Sequence, residues 1–234
     1  MYKDKKVSVV IVAGGKGTRM GSEIPKQYMD IGGKTIIDTT IYKFEKSNQI
    51  DEIILVVNEE EYDYVKHNIA KDYDKIITVV VGGKSRTESV YNGLKAADKN
   101  CSIILIHDGV RPFVSYNLIS SCIENAYEYK ACIPVIEVVD TIKEINKETE
   151  TVEKTLNRSD LRSVQTPQSF DYKLIIECYE KAINENSENA NFTDDSSIVE
   201  YYGYKVKTIE GLQRNMKITT PLDLKIAEIL ASIY

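Results

Sequence analysis

Two kinds of apolar pattern alternate along this chain: short, nearly continuous runs, and longer stretches in which apolar residues recur at helical spacing. The runs are Val7–Val12, Ile53–Val57, Ile76–Val81, Ile103–Ile106 and Ala131–Val135. Rich in β-branched residues and too short for buried helices, they predict strands covered on both faces, as in a parallel sheet. Between them, Ile37, Ile41 and Phe44 give a helix over Thr35–Phe44 one apolar face. Val90, Leu94 and Ala97 do the same after the turn Gly82–Ser89. Glu59–Ala70 reads as a polar surface helix. The order begins βαβαβ, which predicts an α/β fold.

Beyond residue 135 the pattern changes. Glu137–Ile145 and Thr151–Leu156 alternate as polar-faced strands around a charged tip, Asn146–Glu150. A lone two-stranded ribbon is marginal in water, so 137–158 is expected to be a β-arm that packs on a second copy in a homodimer. Helical spacing resumes at Leu174, Cys178 and Ala182, and Asn184–Asn191 reads as a polar loop. Phe192–Ser197 looks like a cap opening a helix through Tyr201, and Tyr204–Ile209 like a late strand. Thr220, Pro221 and Asp223 form a helix start, with Ile226, Leu230 and Ile233 expected on one face of the final helix.

Composition narrows the picture. A chain of 234 residues, 42% hydrophobic, is enough for one large domain, taken as 1–234. No run approaches a membrane span, and Met1–Lys6 passes into a strand without a signal-peptide apolar region, so a cytoplasmic protein is expected. A net charge of −6 argues against broad nucleic-acid binding, and any polyanionic ligand must be met by local cations. Cys101, Cys122, Cys132 and Cys178 lack metal-ligand spacing and read as reduced core residues; His67 and His107 are too few for a histidine metal cluster.

Those local cations gather after the first strand. Ala13-Gly14-Gly15-Lys16-Gly17-Thr18-Arg19-Met20-Gly21, closed by Pro25-Lys26-Gln27, is a phosphate site in outline. Its glycines let successive N–H groups approach an anion, while Arg19 offers a planar fork and Lys26 a point charge, together suited to a triphosphate. The dinucleotide fingerprint fails, because Met20 stands where the third glycine belongs, and this disfavours a dehydrogenase. A Walker loop fails because Gly17 follows Lys16. Ser89 and the backbone near Gly83 could read a nucleobase, or form an ordinary turn. Asp108 could hold Mg²⁺ or its waters and Arg111 could clamp a second phosphate; alternatively the two form an ion pair that orders the loop.

Several motifs in one order are more specific. Ala-Gly-Gly-Lys-Gly-Thr-Arg-Met, Pro-Lys-Gln-Tyr, Gly-Gly-Lys-Ser-Arg-Thr-Glu-Ser-Val, His-Asp-Gly-Val-Arg-Pro-Phe, Val-Asp-Thr-Ile-Lys, Gln-Thr-Pro-Gln-Ser-Phe, Thr-Asp-Asp-Ser-Ser and Asn-Met-Lys-Ile-Thr-Thr-Pro all occur. Over essentially its whole length the chain resembles the cytidylyltransferases of the 2-C-methyl-D-erythritol 4-phosphate type. The resemblance implies a Rossmann-like, doubly wound, mostly parallel sheet with a protruding β-arm used for dimerisation. It implies Mg²⁺-dependent transfer of CMP from CTP to a polyol phosphate, with pyrophosphate released. Arg19 and Lys26 match the catalytic cations, with Lys217 counted beside them. Ala13, Gly14, Gly15 and Gly17 lie on the nucleotide loop, and Gly83, Lys84 and Ser89 on the cytidine turn. Asp108, Arg111, Thr193 and Lys217 match positions around the ribose, metal and acceptor phosphate. Thr141 and Arg158 match residues that interlocking arms bring across a dimer interface.

The chain also departs from that pattern. Gly14 stands where many methylerythritol enzymes carry alanine, and Ser159–Ser163 lacks a tryptophan often found there. Ala-Gly-Gly is common in the related ribitol 5-phosphate cytidylyltransferases, which makes ribitol phosphate the alternative acceptor. Thr193–Ser197 has the methylerythritol form. A non-catalytic nucleotide sensor on the same fold would be expected to lose one of Arg19, Lys26, Arg111 or Lys217, and all four are present.

Overall fold

The computed structural model describes residues 1–15, 24–185 and 192–233. Its elements in order are β1 (Lys6–Val12), α1 (Ile36–Glu45), β2 (Glu52–Val57), α2 (Tyr62–Tyr64), β3 (Ile76–Val81), α3 (Arg86–Ala96), β4 (Cys101–Asp108), α4 (Tyr116–Tyr129) and β5 (Ala131–Glu137). Then follow β6 (Lys143–Asn146), β7 (Thr151–Thr155), β8 (Arg162–Val164), β9 (Gln168–Asp171), α5 (Tyr172–Asn184), α6 (Asp195–Tyr201), β10 (Lys207–Glu210) and α7 (Pro221–Ile233).

Eight strands form one sheet in the order β10-β5-β9-β4-β1-β2-β3, with β8 paired to β5. β4, β1, β2 and β3 run parallel, as do β10 and β5; β8 and β9 run antiparallel to their neighbours. Pleating explains the continuous apolar runs. Val7, Val9 and Ile11 face a layer formed with Ile37, Ile41 and Phe44 of α1 and Ile119 and Ile123 of α4. Val10, Ile54 and Val56 face the opposite layer, with Val90 and Leu94 of α3 and Cys178 and Tyr179 of α5. Both faces therefore need apolar side chains, and helices wind on both sides as expected. All four cysteines are buried free thiols. No helix among the described residues is long and apolar enough to cross a membrane.

Several expectations are corrected. The segment Glu59–Ala70 lies on the surface as expected, but it is broken into 3-10, α and π turns, with Val65 and Ile69 buried in the core. The first strand of the ribbon is shorter than expected: Glu137 stays in the main sheet because it pairs with Arg162 of β8, and only Lys143–Asn146 pairs with β7. The late strand begins at Lys207. On α7 the core side is Leu224, Ala227, Leu230 and Ala231, packed near Ile31, Ile36 and Ile218, whereas Ile226 and Ile233 are exposed. Most of the loop expected at Asn184–Asn191 lies outside the described residues.

Candidate active site

Because β4, β1, β2 and β3 are parallel, their C-terminal ends share one edge of the sheet. The ladder continues past them: Ala13 N–H donates to Val56 O at 2.7 Å, Gly82 N–H to Val57 O at 2.8 Å and Gly109 N–H to Val12 O at 2.9 Å. The glycine turns are thus held at the crevice where open α/β sheets bind ligands. A cleft of about 500 Å³ opens there, lined by Ala13, Gly14 and Gly15 from the first loop, by Lys26, and by Gly83, Lys84 and Ser89 from the third-strand turn. Gly17 and Arg19 lie outside the described residues.

Lys26 opens a 3-10 turn after Pro25 and is only 8% exposed; its Nζ donates to Ile218 O at 3.1 Å. Beside it, the amide of Gln27 donates to Glu61. In the second glycine turn, Ser89 Oγ accepts from Gly83 N–H at 3.0 Å and donates to Ser85 O at 2.8 Å, while Ser85 caps α3.

Asp108 stands at the tip of β4. Its Oδ2 accepts from Arg111 Nε at 2.9 Å and pairs with Lys217 Nζ at 3.1 Å. Burial alone would raise its pKa, but Lys217, Arg111 and Arg86 together hold the carboxyl well below the usual carboxylate range. The Asp108–Arg111 ion pair weighed in the sequence is therefore present, and Lys217 joins it from a distant part of the chain. Arg111 is also fixed by donating to Asn215 O at 2.9 Å.

A buried network supports this loop. Thr166 Oγ1 accepts from Asp108 N–H at 3.1 Å and lies 3.0 Å from His107 Nδ1. The Thr166 hydroxyl hydrogen then points to Nδ1, which leaves Nε2–H to donate to Arg111 O at 3.2 Å. Burial pushes the imidazole down to about 4, so the ring is neutral near pH 7.

A second cleft of about 450 Å³ adjoins the first; Arg86, Asp108 and Lys217 line both. Arg111 and Thr193 line this second cleft. Asp108, Arg111, Thr193 and Lys217 are thus brought together. Thr141 and Arg158 are not part of this group within one chain. They line a separate recess of about 540 Å³ at the base of the arm, where Arg158 Nη1 donates to Val139 O at 2.6 Å.

Sequence reasoning missed Arg86, Asp195 and Asn58. Arg86 forms a two-pronged ion pair with the fully buried Asp195, at 2.8 and 2.7 Å, and Tyr179 OH donates to the same carboxylate at 2.5 Å. Burial works against the Arg86 charge, but Asp195 outweighs it and the guanidinium pKa is raised. Both partners sit inside motifs quoted above, yet nothing local marks them as a pair.

Comparison with known proteins bears directly on this edge of the sheet. Residues 7–232 match the model of the family described as 2-C-methyl-D-erythritol 4-phosphate cytidylyltransferase (IspD). The chain belongs to that family. It is 46% identical to the 2-C-methyl-D-erythritol 4-phosphate cytidylyltransferase of Clostridioides difficile (strain 630), over 94% of this chain and 92% of that one. It is also 46% identical to the protein of that name from Alkaliphilus oremlandii (strain OhILAs), over 97% and 96% of the two chains. Among solved structures, a 4-diphosphocytidyl-2C-methyl-D-erythritol synthase from Anaerococcus prevotii DSM 20548 superposes with a TM-score of 0.85 at 36% identity, covering 97% of this chain and 96% of its own. As a member of the IspD family the chain is an enzyme, a nucleotidyltransferase of the cytidylyltransferase kind. The mixed, mostly parallel sheet with flanking helices is the fold of the solved IspD structures.

Proposed function

We propose that this enzyme transfers CMP from CTP to 2-C-methyl-D-erythritol 4-phosphate and releases pyrophosphate. The observation that carries the reading is the wall shared by the two clefts, where Asp108 and Lys217 face both and Lys26 lines the first. One cleft suits the nucleotide and the other the acceptor. An oxygen of the acceptor phosphate attacks the α-phosphorus of CTP; the bond from that phosphorus to the bridging oxygen breaks, and the electron pair leaves with pyrophosphate. The nucleophile is already anionic at neutral pH, so no general base is required. Positioning and fixed positive charge supply most of the rate.

In this reading Lys26, with Arg19, neutralises the charge that builds on the triphosphate. Ala13, Gly14, Gly15 and Gly17 cradle it with main-chain donors, and Gly83, Lys84 and Ser89 hold the cytidine. Lys217, Arg111 and Thr193 bind the acceptor phosphate. Asp108 suits Mg²⁺, because Arg111 and Lys217 both bond Oδ2 while Oδ1 accepts no hydrogen bond from a described residue. Among the described residues no group of three or more His, Cys, Asp or Glu gathers, which fits an ion that keeps waters and takes phosphate oxygens. When bound, the ion would supply further neutralisation of phosphate charge.

Thr141 and Arg158 would complete the acceptor site of a second copy, reached by the arm 137–158 in a cytoplasmic homodimer whose chains each form one domain over 1–234. The exposed Val139, Ile145 and Val152 on and near the arm favour a covering partner. The relatives' names favour methylerythritol phosphate over ribitol phosphate. The test is pyrophosphate release with CTP and Mg²⁺, offering each polyol phosphate separately. Release with methylerythritol phosphate is expected. Release with ribitol 5-phosphate alone would overturn the acceptor, and tight CTP binding without release from either would favour a sensor.

A further inference from the structure

The nucleotide cleft crosses the C-terminal ends of four strands in the order β4, β1, β2, β3. At about 4.8 Å per strand, its floor from Asp108 to Gly82 spans roughly 14 Å, about the reach of an extended nucleoside triphosphate. Charge is distributed unevenly along that floor. Lys217 pairs with Asp108 at the β4 end, and Lys26 is bonded to Ile218, two residues from Thr220 and next to Lys217 in sequence. At the other end, Asn58 leaves β2 and Gly83 and Ser89 follow β3. The cations at that end differ in kind: Lys84 is exposed, and Arg86 is neutralised by Asp195. Phosphates therefore belong toward β4 and the base toward β2 and β3.

At the base end the polar side chains are not equivalent. The Ser89 hydroxyl is already engaged, by Gly83 N–H and Ser85 O. The Asn58 carboxamide lines the cleft and makes no hydrogen bond with another described residue. Across from it lies Gly14, where a Cβ would stand 3.1 Å from Asn58 Oδ1. The missing methyl leaves the carboxamide room over the cleft floor.

We propose that Asn58 is a base-reading residue, with Oδ1 accepting a hydrogen bond from the exocyclic amine that distinguishes cytosine from uracil. The inference rests on the cytidylyltransferase reading and assigns one specificity contact within it. Equilibrium binding of CTP and of UTP, without acceptor, tests it in the wild type, Asn58→Ala and Asn58→Asp. Loss of one such hydrogen bond in Asn58→Ala is expected to weaken CTP binding about tenfold and to narrow the CTP-to-UTP ratio by a similar factor. Asn58→Asp keeps an acceptor at this place and offers no donor, so it should still prefer CTP to UTP, unlike Asn58→Ala. The proposal is overturned if both variants keep the wild-type ratio. A wild type that binds neither nucleotide would remove the cytidylyltransferase reading and this inference with it. Selective CTP binding that Asn58→Ala retains in full would remove only the role of Asn58.

Discussion

Arg86 grips both carboxylate oxygens of Asp195 across 109 residues of chain, and so ties the first turn of α3 to the first turn of α6. Arg86 lines both clefts, and Asp194 and Ser196, on either side of Asp195, line the second. Asp195 is 0% exposed, whereas Arg86 keeps 37% of its side chain in solvent, so the energetics are set mainly by the buried carboxylate. Replacing Arg86 by Met leaves Asp195 with Tyr179 OH alone and should cost about 3 kcal/mol. Denaturant unfolding would read this as a lower midpoint. The double replacement Arg86→Met with Asp195→Leu should recover much of the loss, because no charge is then stranded.

Gly93 lets α3 lie close on the sheet. A Cβ there would stand 2.5 Å from Val10 Cγ1 and 2.8 Å from Val56 Cγ2, both valines being fully buried. Alanine improves helix propensity by about 1 kcal/mol, but overpacking costs about 1–3 kcal/mol, so Gly93→Ala should be destabilising on balance. Thermal unfolding checks the sign. Adding Val56→Ala should restore part of the loss by making room for the methyl.

The four strands that build the crevice were readable because burial on both faces demands unbroken apolar runs. β8 and β9 were not, because β8 is three exposed residues and the buried positions of β9 are partly polar. Gln168 and Ser169 are buried, and the Gln168 side chain is satisfied by Asp194 and Ser196, brought to it by the fold. The final helix misled for a related reason: apolar residues occupy more than one of its faces, and spacing alone does not say which face meets Ile31 and Ile218. In the site, glycines and cations close in sequence were legible. The Arg86–Asp195 pair was not, since neither residue carries a mark of its distant partner.

Acid stability should bear the imprint of His107. Its folded-state pKa is depressed by burial to about 4, against an ordinary value near 6.5, so the unfolded chain binds a proton that the native protein refuses. Stability contributed by the neutral ring is intact above about pH 6.5 and is lost as pH falls toward 4, by roughly 3 kcal/mol in all. Asp108, also depressed, adds a further loss below the ordinary aspartate range as its ion pairs with Arg111 and Lys217 are protonated away. Unfolding free energies at pH 7 and pH 4.5 should therefore differ. In His107→Gln, which keeps an amide able to donate and accept, the difference should shrink although stability at pH 7 is lower.

Lys26 is nearly buried and aimed by Ile218 O, as a preorganised donor should be. Its removal in Lys26→Ala should lower kcat by roughly two to three powers of ten, with a smaller effect on CTP affinity, because the charge matters most as the transition state develops. Single-turnover pyrophosphate release separates the two effects. Turnover near that of the wild type would contradict the role given to Lys26.

If the arm of one copy completes the acceptor site of the other, Lys26→Ala and Arg158→Ala should rescue each other. Arg158 lies 19 residues from Val139, whose carbonyl it bonds, and in its own chain it lines the arm recess rather than either cleft. Each variant alone carries one defect in every site of a symmetric dimer. In a mixed dimer, however, the chain with intact Lys26 receives an intact Arg158 from its partner, so one site is whole. Random exchange makes about half the dimers mixed, with one good site of two, and activity should return to about a quarter of the wild-type level. Mixing the inactive proteins under conditions that permit subunit exchange, and following pyrophosphate release with time, measures this directly. Activity that stays at the sum of the two variants while exchange is verified by mass would place Arg158 with its own chain's site.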